Sequence, residues 1–201
     1  ADAATLVGAL GAAAATDVLT LTVNGTTATA EQLDILDNKT SVAVKVDATA
    51  VEGTYSDLNK VYVTNKANFT ALGNETVTID DTTVVAANAN IIGNATTGVV
   101  TATVAAATAA TLNAALTDTT VNVYTLTVNG ATAAAADLIA LDAKTSGDVL
   151  VNATTVTGNI NDLTSVYVLA NGLTTGDEAV TITGATTAAQ ADAIADLTTG
   201  A

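Results

Sequence analysis

The sequence has no cysteine, histidine, arginine, proline, methionine or tryptophan, and only 2% of its 201 residues are aromatic. Each absence removes a class of chemistry. Without cysteine there are no disulfides. Without histidine, cysteine or arginine, a serine or threonine nucleophile would have only lysine or a carboxylate as its base. The five basic residues are Lys39, Lys45, Lys60, Lys66 and Lys144, set against twenty carboxylates, for a net charge of −15 and a pI near 4.1. Clustered Lys or Arg is what holds phosphate backbones, so this balance speaks against a nucleic-acid partner. It speaks equally against an anionic membrane surface. Mean hydropathy is high, at +0.46, yet no stretch approaches the roughly 18 uninterrupted apolar residues of a membrane span. No membrane insertion is expected. Residues 1–15 are apolar but lack a basic start, so they do not read as a signal peptide.

Small and β-branched residues fill the space, and they repeat. TLTVNG at 20–25 returns at 125–130. At the same shift of 105, Leu33, Leu36, Asp37, Lys39, Thr40 and Ser41 fall on Leu138, Leu141, Asp142, Lys144, Thr145 and Ser146. Asp57, Leu58, Val61, Tyr62 and Val63 fall on Asp162, Leu163, Val166, Tyr167 and Val168. Beyond them the shift slips by about two residues, and VTIDDTTV (77–84) matches VTITGATT (180–187). A repeat this long governs the reading of every local motif.

Within it lies a shorter period. Nine runs alternate apolar and polar residues, the period-two mark of strands. Their last inward residues are Val23, Val46, Val63, Ile79, Val104, Val128, Val151, Val168 and Ile182. This gives five rungs per copy, two short and three long. Long rungs carry helical segments: TAEQLDILD (29–37), TAATLNAAL (108–116), AAADLIALD (134–142) and AAQADAIADL (188–197). Leu33 with Leu36, Leu112 with Leu116, Leu138 with Leu141, and Ile194 with Leu197 share a helical face. Short rungs, 47–60 and 152–165, predict only a bend at Gly53 or Gly158 and one turn around Asp57–Leu58 or Asp162–Leu163.

So short a strand–helix–strand step most easily joins neighbouring parallel strands by a right-handed crossover. One rung buries too little to offset the entropy of ordering it, whereas stacked rungs shelter one another. The expected fold class is α/β: a right-handed β/α solenoid of parallel strands with short helices or turns on the return side. It would run over 1–201 as a single solenoid, two copies of a five-rung repeat at approximately 1–104 and 105–201. Neither end carries a charged cap, and LTTGA at the end repeats the TTG that leads into the strand at 99–104. The expectation is continuation in a longer chain, or a subunit that stacks end to end.

Candidate sites are few. Paired threonines on TLT (20–22), TVT (76–78), TAT (101–103), TLT (125–127) and TIT (181–183) suggest an ice-binding face, but Lys45, Tyr62 and Tyr167 are expected to point outward between them. Thr is in any case a good exposed strand residue. Asp47, Asp80 and Asp81 at strand exits are the candidate Ca²⁺ ligands, since Ca²⁺ takes six to eight oxygens; the bland alternative is side-chain bonding within turns. Asn24, Asn38, Asn68, Asn74, Asn94 and Asn152 head glycosylation sequons, which leaves a glycan among the candidate partners. No catalytic set is visible: Ser41 and Ser146 near Lys39 and Lys144 read as polar helix exits, and Glu31, Glu52, Glu75 and Glu178 fall on different rungs.

The strings LGNETVTIDDTTVVAANANIIGNATTGVVTATV (72–104) and VTGNINDLTSVYVLANGLTTGDEAVTITGATTAAQADAIADLTTG (156–200) resemble the tandem Ala/Thr/Val-rich repeats of giant secreted cell-surface proteins of cyanobacteria, including the type associated with swimming. The resemblance spans essentially the whole chain and rests on composition and period. It implies an extracellular, structural role and no functional residue. The expected function is a non-catalytic module of a filament, surface layer or adhesin-like protein. A binding module for ice, calcium or a surface glycan is the alternative.

Overall fold

The computed structural model describes residues 1–168 and 172–198; the TGA that closes the chain, part of the end-to-end expectation, lies outside them. The fold is α/β. Its strands are short, its sheets open and its pairings parallel, with helices between the strands. The chain divides into two compact units, Ala1–Thr103 with Asp118–Thr120, and Val104–Thr117 with the residues from Val121 on. The division falls beside the repeat boundary read from the sequence.

In the first unit, helices α1 (Ala3–Ala9), α2 (Ala30–Asp37), α3 (Tyr55–Asn59) and α4 (Ala86–Ala95) alternate with strands β1 (Thr22–Val23), β2 (Thr27–Thr29), β3 (Val44–Val46), β4 (Ala50–Gly53), β5 (Phe69–Thr70), β6 (Thr76–Ile79) and β7 (Val100–Thr103). One sheet runs β1-β3-β5 and another β2-β4-β6-β7. The second unit holds α5 (Ala109–Ala115), β8 (Val123–Val128), β9 (Thr132–Ala134), α6 (Ala135–Asp142), β10 (Val149–Val151), β11 (Thr155–Gly158), α7 (Ile160–Tyr167), β12 (Leu173–Thr174), β13 (Ala179–Ile182) and α8 (Ala188–Ala195). Its sheets run β8-β10-β12 and β9-β11-β13.

Helices α2, α5, α6 and α8 form where the sequence places helical segments. Thr29, Thr108 and Thr187 each cap α2, α5 and α8 by accepting a backbone N–H three residues on. Gln32 and Gln190 return the bond to complete capping boxes. Leu33, Leu36, Leu112, Leu116, Leu138 and Leu141 are all fully buried, each contributing roughly 1.5–3 kcal/mol by removal from water. The fourth expected pair divides: Ile194 is buried but Leu197 is exposed. Inward strand residues stack in register, as in Ala28, Val51, Val77 and Val100 across β2-β4-β6-β7. Gly158 lets α6 approach β11, since a Cβ there would lie 2.7 Å from that of Ala135.

Three expectations are corrected. The runs ending at Val63 and Val168 are not strands. The first is a π-helical turn, Lys60–Thr64, continuing from α3, and the second lies at the end of α7. Val63 and Val168 are exposed, while Tyr62 and Tyr167, expected outward, are buried. Val-Tyr-Val satisfies period two, but Leu58, Val61 and Tyr62 also satisfy the helical spacing of three and four, and the helical set is the one that reaches the core. The strands of these rungs come later, at β5 and β12. Second, the supposed bends contain strands β4 and β11, too short to stand out in a Thr-rich sequence. Third, α4 forms where the sequence shows no clear helical period, because Asn and Gly interrupt its apolar pattern. Each unit has four α-helices among its described residues, and paired strands follow one another 23 to 26 residues apart.

Candidate functional site

The most regular polar feature lies where helices give way to strands. Thr40 follows α2 and is buried. Its Oγ1 accepts the N–H groups of Leu19 (3.1 Å) and Val42 (3.0 Å) and faces the carbonyls of Leu19 (2.8 Å) and Asp17 (3.2 Å), to one of which it donates. In the other copy, Thr145 repeats every contact 105 residues on. It accepts from Tyr124 (2.8 Å) and Gly147 (2.9 Å), and faces the carbonyls of Tyr124 (2.8 Å) and Asn122 (3.1 Å). The following residue adds a second tie. Ser41 donates both N–H and Oγ to the Asp17 carbonyl, and Ser146 does the same to Asn122. Thr97 donates in the same way to Gly73, beside Thr96, whose Oγ1 accepts from Gly98. A Thr–Ser or Thr–Thr pair thus latches each of these turns to the chain one step earlier. Buried hydroxyls are tolerated here because the backbone satisfies them.

A second latch joins helix to strand turn. The Tyr62 hydroxyl donates to Glu75 Oε2 (3.1 Å), which also accepts the Gly73 N–H (2.8 Å). Tyr167 and Glu178 repeat it at 3.5 Å, with the Gly176 N–H 3.0 Å from both carboxylate oxygens. Burial, and then the adjacent Glu75 charge, push the Tyr62 hydroxyl far above the usual tyrosine range; Tyr167 is raised in the same way beside Glu178. Both phenols stay protonated as donors. The Glu75 Oε1 atom is buried without a hydrogen-bond partner.

All five lysines have partners of this structural kind. Lys39 and Lys144 reach back 28 residues to the Gly11 and Leu116 carbonyls just past α1 and α5, at 3.4 and 2.6 Å. Lys66 reaches the Ala95 carbonyl at the end of α4, at 2.9 Å. A cation at a helix C-terminus complements the dipole. Lys60 lies 3.0 Å from Asp57 and 3.6 Å from Asp34, which lowers the Asp57 pKa and raises that of Lys60. Lys45 pairs with Asp47 at 2.7 Å.

That pairing bears on the Ca²⁺ candidates, which the fold does not bring together. Asp47 lines a cavity of about 330 Å³ with Thr49, Asn74 and Glu75. Asp81 Oδ2 accepts the Tyr55 N–H at the start of α3, at 2.6 Å, while Asp80 is exposed on its own turn. The other copy has the same cavity, about 340 Å³, lined by Asn152, Thr154, Asp177 and Glu178. Asp and Asn have exchanged places, and each cavity keeps one Asp, one Asn and one Glu. Among the described residues, no three acidic side chains gather as a metal-holding group. The hydroxyls of Ser41 and Ser146 are committed to backbone carbonyls.

Neither latch stands out in the sequence. Thr40-Ser41 and Thr145-Ser146 read only as polar exits, though their recurrence at the long repeat was visible. The Tyr–Glu pair carries no signal in the sequence, because Val61-Tyr62-Val63 also fits the alternation of a strand, which would turn Tyr62 outward. No protein-family model, no curated protein and no solved structure matches the chain.

Proposed function

We propose that this chain is a non-catalytic structural module, a right-handed solenoid serving an extracellular filament, surface layer or giant adhesin-like protein. Its work is mechanical: reach, stiffness and end-to-end association at or outside the cell surface. The observation that carries this reading is the latch that recurs at Thr40-Ser41, Thr96-Thr97 and Thr145-Ser146, in which hydroxyls and backbone amides bind the preceding step. Polar groups best suited to recognition are spent on joining one step to the next. The lysines are spent likewise. Such nearest-neighbour ties are what a stacked array needs to act as one stiff body. The acidic, aromatic-poor composition and the Ala/Thr/Val period support the same reading. Negative-stain microscopy of the concentrated chain is expected to show elongated polymers; uniformly monomeric particles under those conditions would count against it.

A further inference from the structure

The repeated TLTVNG ends each time in an asparagine followed by a glycine, Asn24-Gly25 and Asn129-Gly130. Both pairs hold the same place in their copies, on the corner between β1 and β2 and between β8 and β9. Both asparagines and both glycines are exposed. The main chain is anchored as far as the asparagine, whose N–H donates to the Ala1 carbonyl in the first copy and to Ala107 in the second, at 2.9 Å each. There the ties stop. Among the described residues, neither asparagine side chain and neither glycine N–H has a hydrogen-bond partner. Gly25 and Gly130 take φ of +136° and +119°, a region that suits glycine, and they bring no side chain to crowd the amide beside them. Asn38 and Asn68, by contrast, donate their Nδ2 to the Asp34 carbonyl and to Asp37 Oδ2. Asn152, next to Asn129 on the neighbouring strand, is equally exposed but is followed by Ala153.

We propose that Asn24 and Asn129 are sites of self-modification, at which each corner converts its own asparagine to aspartate and isoaspartate through a cyclic imide. Asparagine is one of the chemically labile residues. The Gly130 nitrogen gives up its proton to solvent hydroxide and attacks Cγ of Asn129. A C–N bond forms to the main chain, the Cγ–Nδ2 bond breaks, and Nδ2 leaves as ammonia with a proton from water. Water then opens the imide at either carbonyl. Opening on one side leaves an ordinary aspartate. Opening on the other leaves isoaspartate, in which the main chain runs through the side chain. In sum, an amide and a water give a carboxylate and an ammonium ion, with no change of oxidation state. Asn24 and Gly25 react in the same way. The aspartate product suits this corner: the residue in register with Asn24, just past the Val23–Val46 pair, is Asp47. The isoaspartate product lengthens the chain between β8 and β9. It thereby displaces the Gly130 carbonyl, which accepts the Thr154 N–H at 3.1 Å, and loosens that tie to the next step. With age the chain gains negative charge and loses this tie, whether or not it serves the mechanical role proposed above.

The test uses the whole chain, incubated folded at mildly alkaline pH and, in parallel, unfolded in guanidinium. Peptide mass spectrometry that separates aspartate from isoaspartate maps each site. The folded chain should convert at Asn24 and Asn129, with isoaspartate in excess, while Asn38, Asn68 and Asn152 persist. Isoelectric focusing should show acidic isoforms accumulating. Asn24→Gln and Asn129→Gln should each abolish one, because glutamine has to close a larger ring. Asn171-Gly172 is the same pair, but Asn171 lies outside the described residues, and the site map keeps its contribution apart. The wild-type map decides the matter by itself if a variant fails to fold. In the isolated isoform converted at Asn129, the Thr154 amide should exchange hydrogen faster than in the unconverted chain. An Asn24 or Asn129 that stays intact in the folded chain while the unfolded chain converts overturns the proposal for that site. Equal conversion at Asn152 overturns it for both. Unchanged exchange at Thr154 overturns the loosened tie.

Discussion

The two copies of the repeat share their latches but differ in how they handle one extra residue. In the first copy six residues separate Tyr62 from the strand residue Phe69; in the second, five separate Tyr167 from Leu173. The first copy places a π-helical turn at this point, with Asn65 donating to Lys60 at 2.7 Å, five residues back. The second has a single regular helix, Ile160–Tyr167. A π turn takes up an inserted residue without moving what lies on either side, and here it keeps Tyr62 buried against Glu75. The tie across the helix also differs: Lys60 holds Asp57 and Asp34, whereas Ser165, in its place, bonds the Asn161 carbonyl of its own helix. The core positions and the polar latch are the constant part, and surface charge and helix register are free to vary around them.

The sharpest way to break this comparison is through the first helix of each copy. Leu112 and Leu116 of ATLNAAL (110–116) are fully buried, while Leu6 and Leu10 of the matching ATLVGAL (4–10) are only partly so. Leu112→Ala should cost about 2–5 kcal/mol, and Leu6→Ala clearly less, as read from denaturant midpoints. Equal losses would mean that the difference in cover carries no energetic weight. Next come the threonine hubs. Thr40→Val and Thr145→Val keep the shape but leave backbone groups unmatched, which should cost about 1–3 kcal/mol each. Because their contacts coincide, the two losses should agree closely; a neutral result at either site would remove the latch from the load path.

The smallest effect is expected at high pH. The Tyr62 and Tyr167 hydroxyls are raised in the folded chain, while in the unfolded chain a tyrosine ionises near pH 10. The stabilisation is therefore complete below about pH 10 and is lost as pH climbs from there toward the raised folded values, since only the unfolded state releases the proton. Tyr62→Phe should flatten the alkaline fall of the thermal midpoint more than Tyr167→Phe, because Tyr62 lies deeper and closer to its glutamate. Identical alkaline profiles for wild type and both variants would show that these phenols do not sense folding.

The long repeat, the helices at 30–37, 109–115, 135–142 and 188–195, and the parallel pairing could all be read from the sequence, because each rests on spacing along the chain. Hydrophobic period, capping threonines and step length are local quantities, and they specify the helices whatever surrounds them. What the tertiary structure alone decided was the fate of Val61-Tyr62-Val63 and Val166-Tyr167-Val168. Both periods fit those residues, and the choice was made by burial: the helical alternative places Leu58, Val61 and Tyr62 in the core and gives the phenol a carboxylate thirteen residues away. The latches were hidden for the same reason. A threonine after a helix looks like any polar exit until the chain one step earlier supplies the carbonyl and amide it binds, and that proximity exists only once the steps have packed.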